Sequence, residues 1–291
     1  MKKVGIVSCD KWKGKTEEDQ NLRESLREMG IEADIISWQK PILDYDLLVI
    51  RSIWGYQNHY QEFISWLNNT KIPMCNKKEI ILENIKKDRQ FHILDRHGIN
   101  HVETTFLSKE RIEDSIRSIM KKYQGVSFVI KPSISGSGEN TFQLNGEGKN
   151  SIPLEAVEET YHRILEENPD CKIMIQPYQE GILDGEYSCI FINGKLTHTM
   201  KRFPSVFHEK RKTEFIRDVP REILELAQRV EKLEEYKDYL YMRVDMILSN
   251  GKAKVMEVEL TEPDLLTRKI EDPKIKKKII HTFAQSIKER I

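Results

Sequence analysis

Residues 241–263 read YMRVDMILSNGKAKVMEVELTEP, two apolar runs on either side of Ser249-Asn250-Gly251. Apolar runs flanking an Asn-Gly pair mark a β-hairpin. Four charged residues, Arg243, Asp245, Glu257 and Glu259, interrupt the two strands. A three-residue loop with Gly251 left-handed pairs Leu248 with Lys252. Because side chains two apart share a face, that register projects all four charges one way, with Arg243 opposite Glu257. A two-residue Asn250-Gly251 turn would instead send Glu257 and Glu259 away from Asp245. Three carboxylates on one face repel each other unless a cation meets them. Hard oxygen ligands suit Mg²⁺, which commonly binds substrate phosphates as well, and Arg243 would then hold a phosphate oxygen. The competing reading is a solvent-facing ladder with a cross-strand Arg243–Glu257 ion pair.

The remainder of the chain restricts what such a hairpin serves. Its 291 residues can bury a sizeable core and suit two or three lobes. With 47 basic against 47 acidic residues it lacks the Lys/Arg excess on which nucleic-acid binding rests. Apolar runs fall short of the roughly 20 residues of a membrane span. The start, MKKVGIVSCD, reads as a first strand and not as a signal peptide. Cys9, Cys75, Cys171 and Cys189 show no CxxC spacing, which fits a reducing cytoplasm as the expected location.

At the amino end KVGIVSC, a helical segment from Glu17 to Met29 closed by Gly30, IEADIISW and DLLVIRS alternate as strand and helix, the pattern of a parallel α/β sheet. Ligands of such sheets gather at the carboxyl ends of strands. RSIWGYQN (51–58) follows DLLVI at such an end, making Arg51, Ser52, Trp54 and Tyr56 candidates for substrate contact. The alternatives are core packing for Trp54 and Tyr56 and a structural ion pair between Arg51 and an acid such as Asp46.

In FVIKPSISGSGENTF (128–142) a strand ends at Lys131-Pro132, followed by Ser133, Ser135, Gly136, Ser137 and Gly138. Small residues let backbone N–H groups line a phosphate nest beside the lysine, although neither a Walker nor a GxGxxG pattern is present. A plain hairpin turn is the alternative. In MIQPYQEG (174–181) a strand breaks at Gln176-Pro177-Tyr178, freeing backbone groups for a base edge, with Glu180 placed for ribose hydroxyls. Here the alternative is a solvated connector. The lysines of KIKKKIIHTFAQSIKER at the carboxyl end read as a solvated helix face.

Taken in order, a lysine with a glycine-rich loop, a strand with hinge and acid, then Asp…Glu-x-Glu, these segments resemble the ATP-grasp ligases over essentially the whole chain. The resemblance implies an α/β and α+β fold in which two α+β lobes clamp ATP behind a small parallel α/β domain. The corresponding division is 1–78, then 79–178 with the glycine-rich loop, then 179–291 with the metal site. KPSISGSG looks like the family's lysine and flexible loop, and Lys87 like its first nucleotide-binding lysine, with Lys86 as a neighbouring rival. QPYQEG looks like its hinge, with Gln176 and Tyr178 at adenine and Glu180 at ribose. GEYS (185–188) looks like its GE-x-S strand start, which places Glu186 among the nucleotide-binding residues. RVDMI and MEVEL look like its metal-binding strands, with Asp245, Glu257 and Glu259 as ligands.

RSIWGY, KRFP and EVELTEPDLL are most similar to the branch containing the cycloserine-pathway cyclo-ligase and relatives of prokaryotic glutathione synthetase. Departures are Gly55 in place of the aspartate of RS-x-WDY, EPDLLT in place of EPSLFL, and Glu259 where most members carry asparagine. The implied reaction activates a carboxylate, an amino acid or short peptide, as an acylphosphate for attack by an amine or internal nucleophile. ATP and Mg²⁺, with Mn²⁺ as alternative, are the implied cofactors. Arg243 and Lys201 would face the γ-phosphate, and Lys87 and Lys131 the α/β end. The loop 207–215 would offer His208, Arg211 and Lys212 to an acidic substrate. Expected partners are the two small-molecule substrates and a second copy in a homodimer or homotetramer, with no nucleic acid and no membrane. Two other readings stand: a nucleotide-binding regulatory module without ligation, and a phosphotransferase that stops at the phosphorylated product.

Overall fold

The computed structural model describes residues 1–42, 44–107, 112–123, 125–136, 140–144, 153–167, 171–204 and 212–291. Strands β1 (Lys3–Ser8), β2 (Glu32–Ser37), β3 (Leu47–Ile50) and β4 (Met74–Cys75) form a parallel sheet in the order β2-β1-β3-β4. The runs VGIV and LLVI are buried throughout, as strands covered on both faces must be. Helix α1 (Glu17–Glu28) starts where Thr16 accepts from the Asp19 N–H, with Glu17, Glu18 and Asp19 in its first turn. Helix α2 (Tyr60–Asn69) follows a short 3₁₀ turn at Tyr56–His59.

A second, antiparallel sheet joins β5 (Thr105–Leu107), β6 (Phe128–Pro132), β7 (Phe142–Leu144) and β8 (Ile173–Pro177) in the order β5-β8-β6-β7. Phe128 and Ile130 pack with residues of α5 (Ile112–Lys122) and α6 (Leu154–Glu167). Alternation then turns Val129 and Lys131 to the opposite face.

The third sheet is also antiparallel, in the order β11-β10-β9-β12-β13, from β9 (Glu186–Ile192), β10 (Lys195–Arg202), β11 (Thr213–Ile216), β12 (Tyr241–Ser249) and β13 (Lys252–Glu259). Cys189, Phe191, Met242 and Val244 share a core with α7 (Arg221–Glu231) on one face. On the other face Ile190, Ile192 and Tyr241 pack with Phe283 and Ile287 of α8 (Pro273–Lys288), which also lies along α1. The first and third sheets therefore share an apolar core.

Helices α3 (Lys78–Asn84) and α4 (Lys87–Arg96) cover the outer edge of β13. The Asn84 amide donates to Val258 O (2.7 Å) and accepts from Leu260 N (2.8 Å), and Gln90 Oε1 accepts from Val258 N (2.9 Å). These side chains satisfy an edge that would otherwise expose backbone groups.

The β12–β13 hairpin corrects the expected loop. Ser249 pairs with Lys252 across a two-residue turn, with Asn250 at φ 51° and Gly251 at φ 70°. That turn alone would split the charges between faces. A β-bulge undoes the split: Met246 pairs with Val255 and Asp245 with Glu257, leaving Met256 as an extra residue. Arg243 thus stands opposite Glu259 and not Glu257, and all four charged side chains return to one face. Among the described residues no helix is long and apolar enough to cross a membrane.

Candidate functional site

One end of the α8-facing side of the third sheet is polar where the rest is apolar. There Glu186, Arg202, Arg243, Asp245, Glu257 and Glu259 line a cavity of about 280 Å³. Lys131 from the second sheet, Lys87 from the start of α4, and Tyr56, Ser135, Gly136 and Glu262 complete its walls.

Asp245 is the most constrained member. Arg243 donates Nε to Oδ1 (3.0 Å) and Nη2 to Oδ2 (2.9 Å), Ser188 Oγ donates to Oδ1 (2.7 Å), and Arg202 lies 2.7 Å away. Burial pushes this carboxyl up, but Arg202 and Arg243 prevail and hold it at about 2. Arg243 also pairs with Glu259, and Arg202 with Glu186. Lys87 Nζ pairs with Glu257 Oε1 at 3.1 Å and donates to the Ser135 carbonyl, tying α4 to the loop after β6. Burial raises Glu257, yet Lys87 and Lys131 bring it below the usual glutamate value. Burial, and beyond it the carboxylates of Glu257 and Asp245, push Glu259 up to about 7 against the pull of Arg243.

Three groups are left with capacity. Lys131 makes no hydrogen bond or ion pair among the described residues, and burial lowers its pKa. Arg202 Nε is buried without a hydrogen-bond partner. Glu262 is 5% exposed and likewise unpaired among the described residues; burial and then Glu259 drive its carboxyl well above the ordinary range.

Several expected residues lie elsewhere. Lys201 pairs in register with Tyr187, and its ammonium rests over the rings of Tyr187 (4.9 Å) and Phe203 (5.4 Å). Strand alternation puts it on the face opposite the cavity, so its neighbour Arg202 is the cation at the site. Arg51 is also corrected, from substrate contact to internal strut. Its guanidinium reaches Glu18 (3.2 Å), Asp19 (3.4 Å) and the Pro263 carbonyl (3.0 Å), above the rings of Tyr241 and Phe283. Asp46 pairs with Lys2 instead. Ser52 is buried against Ser8 (2.7 Å) and Asp19, and Trp54 packs edge-on to Trp12 at 5.4 Å. Of that segment Tyr56 alone is in the cavity wall, its hydroxyl pKa pushed well up by burial and by Glu262. Gly55 has φ 96°, a conformation that strains an aspartate, which accounts physically for glycine there.

Part of the expected hinge is already engaged within the chain. Tyr178 N–H is not free for a base edge, because it donates to Ser127 O at 2.8 Å. The Gln176 backbone pairs with Val129 and its amide donates to Thr104 Oγ1 (2.9 Å). Glu180 opens a short 3₁₀ turn whose Ile182, not Glu180, lines the cavity. Lys87, not Lys86, faces the cavity. Ser137, Gly138, His208 and Arg211 lie outside the described residues, and Lys212 pairs with Glu214. Arg202, Ser188 and Glu262 were not anticipated; the signal for Glu262 is its place three residues beyond Glu259 in the same polar strand exit.

Among the described residues no three acidic, histidine or cysteine side chains gather as a metal cage. Asp245, Glu257 and Glu259 are each drawn to a cation instead. The donor set nevertheless fits a hard divalent ion: all its ligating atoms are oxygens, and the three carboxylates project from one face of the hairpin into one cavity.

Residues 4–76 match the family described as D-cycloserine synthetase DcsG, N-terminal domain. No curated protein matches the chain. Among solved structures it resembles D-cycloserine synthetase DcsG, with 20% identity over 99% of both chains and a TM-score of 0.83. A RimK domain ATP-grasp protein from Sphaerobacter thermophilus gives 14% identity, covering 99% of this chain and 98% of that one, at a TM-score of 0.70. The D-alanine–D-alanine ligase of Bacillus anthracis complexed with ATP gives 19% identity, covering 100% and 99%, at 0.63. The chain has the ATP-grasp fold from end to end.

Proposed function

We propose that this protein is an ATP-dependent ligase that activates a carboxylate as an acylphosphate for attack by an amine or internal nucleophile, releasing ADP and phosphate. The observation that carries the reading is the opposition across one cavity of Lys131, a half-buried cation unpaired among the described residues, and the carboxylates Asp245, Glu257 and Glu259. Lys131 and Lys87 are suited to the phosphate chain. Arg202, through its unpartnered Nε, and Arg243 are suited to the phosphoryl group in transfer, where fixed donors count most. Asp245, Glu257 and Glu259 would hold Mg²⁺ or Mn²⁺, which supplies positive charge to the phosphate oxygens when bound.

In the first step a carboxylate oxygen bonds to the γ-phosphorus and the β–γ bridging oxygen leaves with ADP. In the second the nucleophile bonds to the acyl carbon and phosphate leaves. The enzyme supplies position and charge, so no side-chain nucleophile is needed. The substrate class is an amino acid or short peptide, in keeping with solved neighbours named for D-cycloserine and D-alanine ligation. We assign substrate contact to Tyr56 and Glu262 in place of Arg51 and Ser52. A cytoplasmic homodimer or homotetramer, divided at about residues 78 and 178, completes the proposal.

The test is release of ADP, AMP and phosphate from Mg·ATP across mixtures of amino acids and dipeptides, with Lys131→Ala as control. ADP release that depends on a particular acid and nucleophile, and is lost in the control, is expected. AMP with pyrophosphate would overturn the acylphosphate. ADP release without consumption of a nucleophile would mean a phosphotransferase, and binding without turnover a regulatory module.

A further inference from the structure

Of the five carboxylates lining the cavity, four are met by a cation of the chain. Asp245 has Arg202 and Arg243, Glu257 has Lys87, Glu259 has Arg243, and Glu186 has Arg202. Glu262 is the exception among the described residues. Lys131, also unpaired, is not its missing partner, because the carboxylates that act on Lys131 are Glu257 and Glu186.

Glu262 enters from the segment after β13 and is 5% exposed. Its carboxyl oxygens are unbonded among the described residues, yet they are not closed off from water as Arg202 Nε is. The surface they keep opens on the cavity. Tyr56 stands in the same wall, 4% exposed, with a hydroxyl likewise unbonded and open. Glu262 is the charge that bears most strongly on that hydroxyl, which places the two together. There is also room beside them. A methyl group on Gly136 would sit 3.7 Å from Glu262 Oε1 and 3.8 Å from Gln57 Oε1, its nearest contacts. Glycine therefore leaves space for an atom at van der Waals distance from the carboxyl.

A primary ammonium matches this pair. It has three donors, enough for a carboxylate and a phenol oxygen at once. Burial keeps the Tyr56 hydroxyl protonated. A neutral phenol suits an ammonium better than Mg²⁺, whose oxygens come from carboxylates, phosphates and water. Burial and the charge of Glu259 oppose ionisation of Glu262, and an ammonium beside it offsets them. At about 280 Å³ the cavity suits a small compound, and Arg202 and Arg243 in its wall meet a carboxylate at the other end.

We propose that the carboxylate substrate is a small amino acid with a free ammonium, which donates to Glu262 and the Tyr56 hydroxyl while its carboxylate faces Arg202 and Arg243. The inference rests on the ligase reading for the carboxylate end and adds the group that separates an amino acid from a hydroxy acid. Titration calorimetry of the full chain with racemic alanine and racemic lactate, which differ only in ammonium against hydroxyl, tests it. Both are titrated with saturating Mg·ADP and again without nucleotide. Alanine should bind at least about tenfold more tightly than lactate. Glu262→Gln should remove that preference, and Tyr56→Phe should weaken alanine about threefold. Equal affinities, no saturable heat from alanine up to about 10 mM, or a preference intact in Glu262→Gln would overturn the proposal and leave the ligase reading standing. So would an intact preference with Mg·ADP affinity lost about tenfold in Glu262→Gln, which would make Glu262 a metal ligand. Failure of the parent to bind Mg·ADP would overturn the ligase reading instead, and the titrations without nucleotide would still decide the ammonium preference.

Discussion

Two clusters of buried charge flank the same exit segment, residues 261–268, and differ in what lies beside their unbonded atoms: Arg51 Nε and Asp19 Oδ1 make no hydrogen bond but face each other at 3.4 Å, and neither residue lines the cavity. In the first, Arg51 is met by Glu18, Asp19 and the Pro263 carbonyl, while Glu18 accepts from Thr267 N (2.6 Å) and Oγ1 (2.9 Å). In the second, Arg243 spans Asp245, Glu259 and the Asp264 carbonyl, but Lys131, Glu262 and Arg202 Nε retain unused capacity beside a cavity. Both clusters bury arginine among carboxylates, and both lie near strand ends. Burial of charge therefore does not by itself mark a site. Incomplete pairing next to a cavity does, because that charge is held ready for something other than the protein.

The largest effect should come from breaking the closed cluster. Arg51→Ala leaves Asp19 buried without its cation and Glu18 with only Arg268 at 3.7 Å, and about 3–5 kcal/mol of stability should be lost. Urea unfolding measures it. A stable variant with a raised KM would instead return Arg51 to the substrate and erase the contrast. In the open cluster the loss should appear in turnover. Glu257→Gln removes one oxygen ligand charge and the partner of Lys87, and ADP release should fall about 10²–10³-fold, with the urea midpoint nearly unchanged. Near-normal turnover would remove Glu257 from the metal assignment.

The contrast also shows what the sequence makes legible. The alternation of KVGIVSC, helix, IEADIISW and DLLVIRS suffices for the parallel sheet, since period and burial follow directly from those apolar runs. Asn250-Gly251 marks the turn, but the bulge at Met256 carries no signal of its own: the extra residue is an ordinary apolar side chain, not a glycine. The expected face for the four charges was right although the loop was not, because turn and bulge each shift the register by one. Lys201 and Arg202 show the same parity problem without a second shift to correct it, since adjacent cations on a strand face opposite ways. Arg51 failed for another reason. Its partners, Glu18 and Asp19, come from a helix more than thirty residues earlier, and no local pattern announces such a contact.

A third, smaller effect concerns the segment between the clusters. His198, on β10, is buried and donates Nε2–H to the Leu265 carbonyl at 2.7 Å. Burial pushes its pKa down to about 4, with the hydrogen bond opposing. The unfolded chain titrates near about 6.5, so between the two values it binds more protons than the native state and stability falls as pH drops. At about pH 5 the loss relative to pH 7 should approach about 2 kcal/mol, and His198→Gln should flatten the slope. An equal slope in the variant would assign the acid sensitivity to other groups.

The smallest effect is also the sharpest test of strand parity. Arg202→Met removes the cation 2.7 Å from Asp245 in the cavity wall, together with its unpartnered Nε, and should lower ADP release about 10–100-fold. Lys201→Met, one residue earlier, replaces an ammonium resting on Tyr187 and Phe203 by an apolar chain of similar length. It should change turnover by less than about threefold and stability by less than about 1 kcal/mol. The two substitutions remove the same charge from adjacent positions, so a general electrostatic role would make them equal. Only the register, which sends one side chain to the cavity and the other to the opposite face, separates them. A larger loss in Lys201→Met than in Arg202→Met would require β10 to be shifted by one residue against β9.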